Sequence, residues 1–325
     1  YEVLITTNTR LSSVYVNDNF SKKVYHQYLP LDFNLFTKRF LRHWNPSMAI
    51  FTESELWPNL INNTCKLNIP LFLVQARISN SSLRKWKVMG SFLKTTLNNF
   101  NLIIAKSDSD KEIMENKIGI KISGVSDLKF CAPKLKFDTK KKRLLLEKIK
   151  GKNVISAIST HAGEEKVILE SFKQLYKKNK SLILMIQPRH PNRRNDILNE
   201  IEKEKFIFQQ RSKNQLPSLD AQVYLFDTFG ESGLLISISN VIILGGTFVP
   251  IGGHNLIEAA QFSKSIIIGP YYNKIKEIVE LFKKNNAVII SNNISDLYLM
   301  LFNIFNKKIN SKILASNARK VTLSF

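Results

Sequence analysis

Two cysteines in 325 residues are too few for a disulfide framework. Cys65 and Cys131 lie far apart with no CxxC or histidine-rich neighbourhood that would make a zinc site, so each reads as a small buried hydrophobe in a reducing compartment. Also missing is any run of about 18 apolar residues, the length that crosses a bilayer, and no signal peptide opens the chain. Any membrane contact is therefore expected to be peripheral. Acidic residues are scarce: 26 stand against 48 Lys plus Arg, a formal charge of +22. Such a field attracts polyanions, and nucleic acid, anionic lipid and a phosphorylated glycolipid all qualify. The alternative is compositional bias, with runs such as Lys140 to Arg143 serving as solvated surface. Clustered histidine ligands do not appear either, and no divalent cation is expected to be required.

What is present suits packed cores. The chain is 44% hydrophobic and 10% aromatic, and 325 residues suggest two domains of roughly 150 residues each. Short β-rich apolar runs at 2–6, 48–52, 71–75 and 102–105 alternate with helical patterns. Phe33, Phe36, Phe40, Leu41 and Trp44 form one such stripe, and Leu83, Trp86, Met89, Phe92, Leu93 and Leu97 form another. The rhythm breaks near Cys131 and resumes with strand candidates at 154–158, 182–186, 223–226, 241–244, 266–268 and 288–290. This predicts an α/β protein of two doubly wound, mostly parallel units: 1–132, a charged linker over 133–152, and 153–325. Apart from that shared rhythm there is no internal repeat.

The chemistry-bearing residues fall where the strand candidates end. Gly245, Gly246, Thr247, Gly252 and Gly253 link the run 241–244 to a helical pattern opened by His254 and Asn255, with Glu258 one turn in. Strand, glycine loop and helix start, in that order, make an anion and nucleotide cradle in which glycines admit a ligand to the backbone and the helix end adds positive potential. Asn255 or His254 can cap the helix or reach a phosphate, and Glu258 has the chemistry for ribose hydroxyls. Ordinary turns use glycine pairs too. Ser159, Thr160 and His161 precede a helical pattern bearing Glu164 and Glu165, so either hydroxyl can be an N-cap. Pro188 and Pro191 stiffen a turn that projects Arg189 and His190, a guanidinium suited to phosphate or carboxylate. Asp227 or Thr228 can cap the helical run through Leu235. Glu53 and Glu55 follow the run 48–52 and precede a helix with Pro58 in its first turn; alternation would put both on one side, and dipole pairing is their other reading.

The 245–260 segment, Gly-Gly-Thr-Phe-Val-Pro-Ile-Gly-Gly-His-Asn-Leu-Ile-Glu-Ala-Ala, resembles the signature of the 3-deoxy-D-manno-octulosonic acid (Kdo) transferases. Five further segments agree in order and spacing: Thr52-Glu-Ser-Glu-Leu-Trp-Pro-Asn59, Ala76-Arg-Ile-Ser79, Ser159-Thr-His-Ala-Gly-Glu-Glu165, Pro188-Arg-His-Pro-Asn-Arg193 and Asp227-Thr-Phe-Gly-Glu231. The resemblance implies a GT-B glycosyltransferase fold with a cleft between two Rossmann-like domains. Its implied activity is transfer of Kdo from CMP-Kdo to the phosphorylated lipid A precursor of lipopolysaccharide, at the cytoplasmic face of a bacterial inner membrane whose anionic surface is a further partner. No cofactor, metal or specific nucleic acid is implied. On the donor side it implies Thr160, His161, Arg189, His190, Asp227, Thr228, Gly230, Glu231, the glycine loop with Thr247, His254, Asn255 and Glu258; Gly230 and Glu231 would lie beside the base or sugar. On the acceptor side it implies Glu53 and Glu55, with Arg77 meeting a glutamate or an acceptor phosphate. The family's general base, in a Gly-Ser-x-Gly-Glu segment, has no counterpart in these residues, so an N-terminally incomplete chain is expected. Two motifs depart from the family pattern, at Thr7-Asn-Thr-Arg-Leu-Ser12 and at Gly269-Pro-Tyr271. Other UDP-sugar transferases of the same fold and a noncatalytic polyanion binder are the alternatives.

Overall fold

The computed structural model describes residues 2–20, 23–78, 83 and 91–324. By its internal contacts the chain divides into Tyr1–Leu128 and Lys129–Phe325.

In the first unit β1 (Val3–Thr7) and β2 (Val24–Tyr28) form a parallel pair. A second parallel sheet has the order β3 (Ala49–Thr52), β4 (Leu71–Ala76), β5 (Leu102–Ala105) and β6 (Gly124–Val125). Leu71 and Leu73 are fully buried while Phe72 and Val74, which alternate with them, are only partly so, and the core continues through Ile61, Leu97, Ile103 and Met114. This is period-2 burial: one face of the sheet is covered much more deeply than the other. The four expected strands are found within a residue of their predicted limits. Neither β2, whose Val24-Tyr-His-Gln-Tyr28 holds a single aliphatic residue, nor the two-residue β6 has an apolar run to announce it. The helix Asn34–Trp44 also forms, but it buries Thr37 and Leu41 and leaves Phe33 and Phe36 exposed. Thr37 is the surprise, and its hydroxyl is the reason: it accepts from Asn63 Nδ2 at 2.8 Å inside the interface with the helix Pro58–Lys66. Of the second predicted stripe, Leu83, Leu93 and Leu97 are buried and Phe92 is exposed; Trp86 and Met89 lie outside the described residues.

The second unit is one seven-stranded parallel sheet, ordered β13 (Ile289–Ile290), β12 (Ser265–Ile268), β11 (Val241–Leu244), β7 (Asn153–Thr160), β8 (Leu182–Pro188), β10 (Val223–Leu225), β9 (Phe208–Gln210). Every residue of β8 and β11 is buried, as helices on both faces require. Alternate strand residues feed two cores. Val154, Ile158, Ile183, Met185, Ile242 and Leu244 meet Leu234, Val279, Phe282 and Val321 on one face. On the other, Ile155, Ala157, Leu184, Ile186 and Ile243 meet Ile168, Phe172 and Leu175 of the helix Glu164–Lys178 and Leu297 and Leu301 of the helix Ile294–Phe305. Each such Leu, Ile or Phe contributes roughly 1.5–3 kcal/mol relative to exposure.

Residues 133–152, expected as a linker, belong to this unit. Within them the helix Thr139–Lys148 is capped by Asp138, which accepts from Lys140 N and Lys141 N, and it inserts fully buried Leu145 and then Ile149 into the first of the two cores. A surface rich in lysine hid an i, i+4 apolar pair.

The chain enters the sheet at β7, adds β8 on one side, and later places β11 on the other. The boundary between β7 and β11 is thus the point where the order reverses, and open parallel sheets leave a crevice there beyond their carboxyl ends.

Candidate functional site

At that reversal point the segments after β7, β8 and β11 come together. Ser159 adopts a left-handed φ of 56° at the end of β7, and the helix Glu164–Lys178 begins after Gly163 rather than at a hydroxyl cap. The capping runs the other way. Glu164 Oε2 accepts from His161 N at 2.8 Å, while Thr160 Oγ1 donates to Glu165 Oε1 at 2.8 Å. Arg193 then grips Glu165 with both ends of its guanidinium, at 2.8 and 3.1 Å. Thr160 is wholly buried, so among the expected donor residues it acts as part of the frame.

Glu164, fully buried, does more than close its own helix. Besides His161 N it accepts from Gly246 N at 2.7 Å, Thr247 N at 3.0 Å and Phe248 N at 2.8 Å, two donors on each oxygen. Burial pushes its carboxyl above the ordinary range, and the four N–H bonds pull it back. A carboxyl that accepts four backbone donors is held in its charged form by geometry. The amides expected to cradle a phosphate are therefore occupied by a side chain of the same unit. Gly252 N and Gly253 N likewise donate to Gly246 O. The glycines allow protein to pack on protein: a Cβ on Gly245 would lie 2.3 Å from Ser159 O, and one on Gly252 would lie 2.6 Å from Asn273 Oδ1. Thr247 Oγ1 accepts from Gly269 N at 2.8 Å and is also buried.

The loop ends in a five-residue helix, Ile257–Gln261. Just ahead of it, Asn255 Oδ1 accepts from Ile257 N at 3.1 Å, and Asn255 Nδ2 donates to Glu258 Oε1 at 3.2 Å. Burial raises the Glu258 carboxyl, with Asn255 and Arg189 opposing. Three imidazoles gather at the same strand ends. His161 Nε2 and His254 Nε2 are 2.7 Å apart, and the His190 ring stands edge-on to His161 at 6.0 Å. Arg189 N is fixed by Thr160 O at 3.0 Å, while its side chain is exposed and raises the local positive potential. Burial lowers His161, and burial with neighbouring His161, Arg189 and Lys274 holds His254 down at about 4. At neutral pH both rings are mainly uncharged. Arg189 thus lies near His161, His190, His254 and Glu258, and Asn255 bonds to Glu258.

Asp227, Thr228 and Glu231 have partners of their own. Asp227 is buried and accepts from Gln210 Nε2 at 2.8 Å, Ser212 N at 2.9 Å and Ser212 Oγ at 2.6 Å, so it pins the turn after β9 and does not cap a helix. Glu231 accepts from Arg211 Nε and NH2 at 3.0 and 2.8 Å, from Lys141 Nζ at 3.0 Å and from Thr228 Oγ1 at 2.6 Å. Those bonds, Arg211 first, hold it down to about 2 and fill four acceptor positions. Gly230, at φ 74°, makes the turn between Thr228 and Glu231. Glu164, Arg193, Arg211 and Lys274 were missed as site residues. Glu164 carried a local signal, a first-turn carboxylate able to reach back to the backbone preceding its helix, and Arg193 closes one of the segments that carry the family resemblance; Arg211 and Lys274 lie in none of them.

In the first unit Glu53, Glu55 and Arg77 follow the ends of β3 and β4, and all three are exposed. Glu53 has φ 55°, so strand alternation, the expected reason for the two glutamates to share a side, stops at Thr52. Its amide donates to Val74 O at 3.0 Å; among the described residues nothing engages its carboxylate. Glu55 Oε2 accepts from Trp57 Nε1 at 2.9 Å and Asn8 Nδ2 at 3.1 Å. Arg77 pairs with no carboxylate among the described residues; its carbonyl accepts from Ser54 Oγ at 2.5 Å. Ser79 lies outside the described residues. Pro58 opens the helix Pro58–Lys66 as predicted.

Among the described residues no helix is long and apolar enough to cross a membrane. Residues 1–132 match the family model for 3-deoxy-D-manno-octulosonic-acid transferase (kdotransferase). A 3-deoxy-D-manno-octulosonic acid transferase of Rickettsia felis is 35% identical over 320 residues, 98% of this chain and 68% of the relative. The chain spans 65% of the length of the first curated relatives that it matches. Among solved structures, the C-terminal CMP-Kdo binding domain of WaaA from Acinetobacter baumannii is 29% identical with a TM-score of 0.54, covering 56% of this chain and 96% of that one. A glycosyltransferase from Rickettsia africae, 14% identical, has a TM-score of 0.63 over 100% of this chain and 86% of its own, a likeness of fold alone that agrees with a GT-B architecture. Motif order, fold and relatives concur: the chain belongs to the 3-deoxy-D-manno-octulosonic acid transferase family.

Proposed function

We propose that this chain moves Kdo from CMP-Kdo to a hydroxyl of the phosphorylated lipid A precursor in lipopolysaccharide synthesis. The observation that carries the donor half is the gathering of Arg189, His161, His190 and His254 beside Glu258 at the reversal point of the second sheet. CMP-Kdo brings a phosphate and a carboxylate, which a guanidinium and imidazole N–H groups can hold, and ribose hydroxyls, which Glu258 can accept. As the anomeric C–O bond to phosphate breaks, Arg189 and the imidazoles stabilise the charge that develops on departing CMP, a role that asks for no metal ion. Glu164, Thr160, Asp227, Thr228, Gly230 and Glu231 then position these groups without contacting the donor. Glu53, the glutamate whose carboxylate is unengaged among the described residues, is the group on the first unit that can take the proton of the attacking hydroxyl, and Arg77 is the cation there for an acceptor phosphate. Exposed Leu11, Leu31, Phe33 and Leu35, interspersed with Arg10, Lys38, Arg39 and Arg42, support contact with an anionic membrane surface, the cytoplasmic face of an inner membrane.

Titration calorimetry with CMP and UMP tests the donor half. CMP is expected to bind the more tightly, and Arg189→Lys to lower its affinity about tenfold or more by losing the two-pronged contact, while the surface change Lys142→Ala has a smaller effect. Equal affinity for the two nucleotides, or equal effects of the two variants, would overturn the assignment.

A further inference from the structure

His161 and His254 meet end to end. Their Nε2 atoms are 2.7 Å apart, the ring planes differ by 14°, and the centroids are 5.0 Å apart, a separation that two five-membered rings with touching nitrogens reach only in line. One imidazole must donate and the other accept. If both Nε2 atoms carried protons, two N–H groups would oppose each other and the rings would have to part. The surroundings favour the closed, uncharged pair. Arg189 and His190 face it from the turn after β8, Arg193 from the next turn, and Lys274 from the segment before the helix Lys276–Lys284. Glu165 is the opposing carboxylate, and Arg193 already holds both of its oxygens. The His254 ring is also backed by the glycine loop, since a Cβ on Gly246 would lie 3.0 Å from its Cδ2.

An anion entering among these cations reverses the balance, because its charge favours protonation of both rings and its oxygens can accept from two Nε2–H groups that no longer have each other. We infer that the His161–His254 pair is a proton-operated clamp: closed and neutral before a ligand binds, it opens by taking protons from solvent as an anionic group of the ligand enters, and each imidazolium then grips that group. No covalent bond changes. The Nε2–H···Nε2 bond is exchanged for two charge-assisted bonds to the anion, and the site thereby selects for negative charge in its ligand. The inference rests on the donor reading given above.

Calorimetry of CMP binding near pH 7, in two buffers of different ionisation enthalpy, counts the protons. The wild-type chain is expected to take up about one more proton per CMP than His254→Asn, and its affinity to strengthen, relative to the variant, by up to about tenfold for each unit the pH falls. The variant comparison removes any proton taken by the CMP phosphate itself. His161→Asn should abolish the same uptake, and it serves if His254→Asn fails to fold. CMP binding with equal proton counts in wild type and folded variants would overturn the clamp while leaving the donor reading intact. Absence of CMP binding by the wild-type chain would overturn the donor reading and the clamp with it.

Discussion

The ends of β4 and β8 carry similar chemistry on very different foundations. Around β8 the sheet is buried on both faces, and four carboxylates near its strand ends are fully engaged: Glu164 by four amides, Glu165 by Arg193, Asp227 by Gln210 and Ser212, Glu231 by Arg211, Lys141 and Thr228. Around β3 and β4, where burial alternates along the strands, Glu53, Glu55 and Arg77 stand in water. A doubly covered sheet forces each strand-end acid to find a partner, since a buried charge without one is far more costly than a surface charge. The consequence is a division of roles. In the second unit these four acids build the frame, which under the proposed function leaves ligand binding to Arg189, the histidines and Glu258; in the first, the Glu53 carboxylate has no partner among the described residues.

The strongest test of this contrast is Glu164→Gln. An amide nitrogen cannot accept, so two of the four backbone donors would lose their acceptor and meet N–H groups instead. The second unit should lose about 3–5 kcal/mol of unfolding free energy in urea, near the upper end for single changes. Glu53→Gln should cost less than about 0.5 kcal/mol, as surface changes do. Comparable losses from the two variants would erase the distinction between frame and reactive acid.

A smaller effect, with a pH signature, is expected at Glu231. Its folded carboxyl titrates at about 2, below the ordinary 4.5, so its contribution is complete above about 4.5 and is lost as pH falls toward 2. Glu231→Gln should therefore lower stability by about 1.5–3 kcal/mol at pH 7, with the deficit closing as the wild type is acidified. A deficit independent of pH would mean that the variant fails through packing and that Arg211 draws little from the charge.

Much of this arrangement is legible in the sequence, and the exceptions share a cause. Strands of the second sheet are continuous aliphatic runs, and β11 and β5 fall on the residues predicted. Segments without such runs, Val24-Tyr-His-Gln-Tyr28 and Phe208-Gln-Gln210, went unread because the strands beside them in the sheet define them. The glycine loop was found by its spacing, yet its amides could not be assigned from sequence: their acceptor, Glu164, lies 82 residues upstream of Gly246. Likewise Arg211 meets Glu231 across 20 residues, a pairing that no local pattern encodes. Local chemistry announced where the strand ends are; which donors remain available to a ligand is decided by long-range packing.

The smallest effect on stability belongs to Glu53, and it separates structure from chemistry most cleanly. At φ 55° its backbone occupies the left-handed region that suits glycine, which costs a residue with a Cβ on the order of 1 kcal/mol. Its side chain is exposed, and no partner among the described residues repays that strain. Glu53→Gly should thus leave stability unchanged or raise it by up to about 1 kcal/mol, the gain from relieved strain being partly offset by the greater freedom of glycine in the unfolded chain. If the carboxylate takes the proton of the acceptor hydroxyl, the same change should slow Kdo transfer by about 10²–10⁴-fold while CMP affinity, set in the second unit, stays as it was. Chemical denaturation, CMP calorimetry and a turnover assay on one preparation decide the point. A stable variant that binds CMP and transfers Kdo at the wild-type rate would remove Glu53 from the mechanism and leave its strained backbone without a functional account.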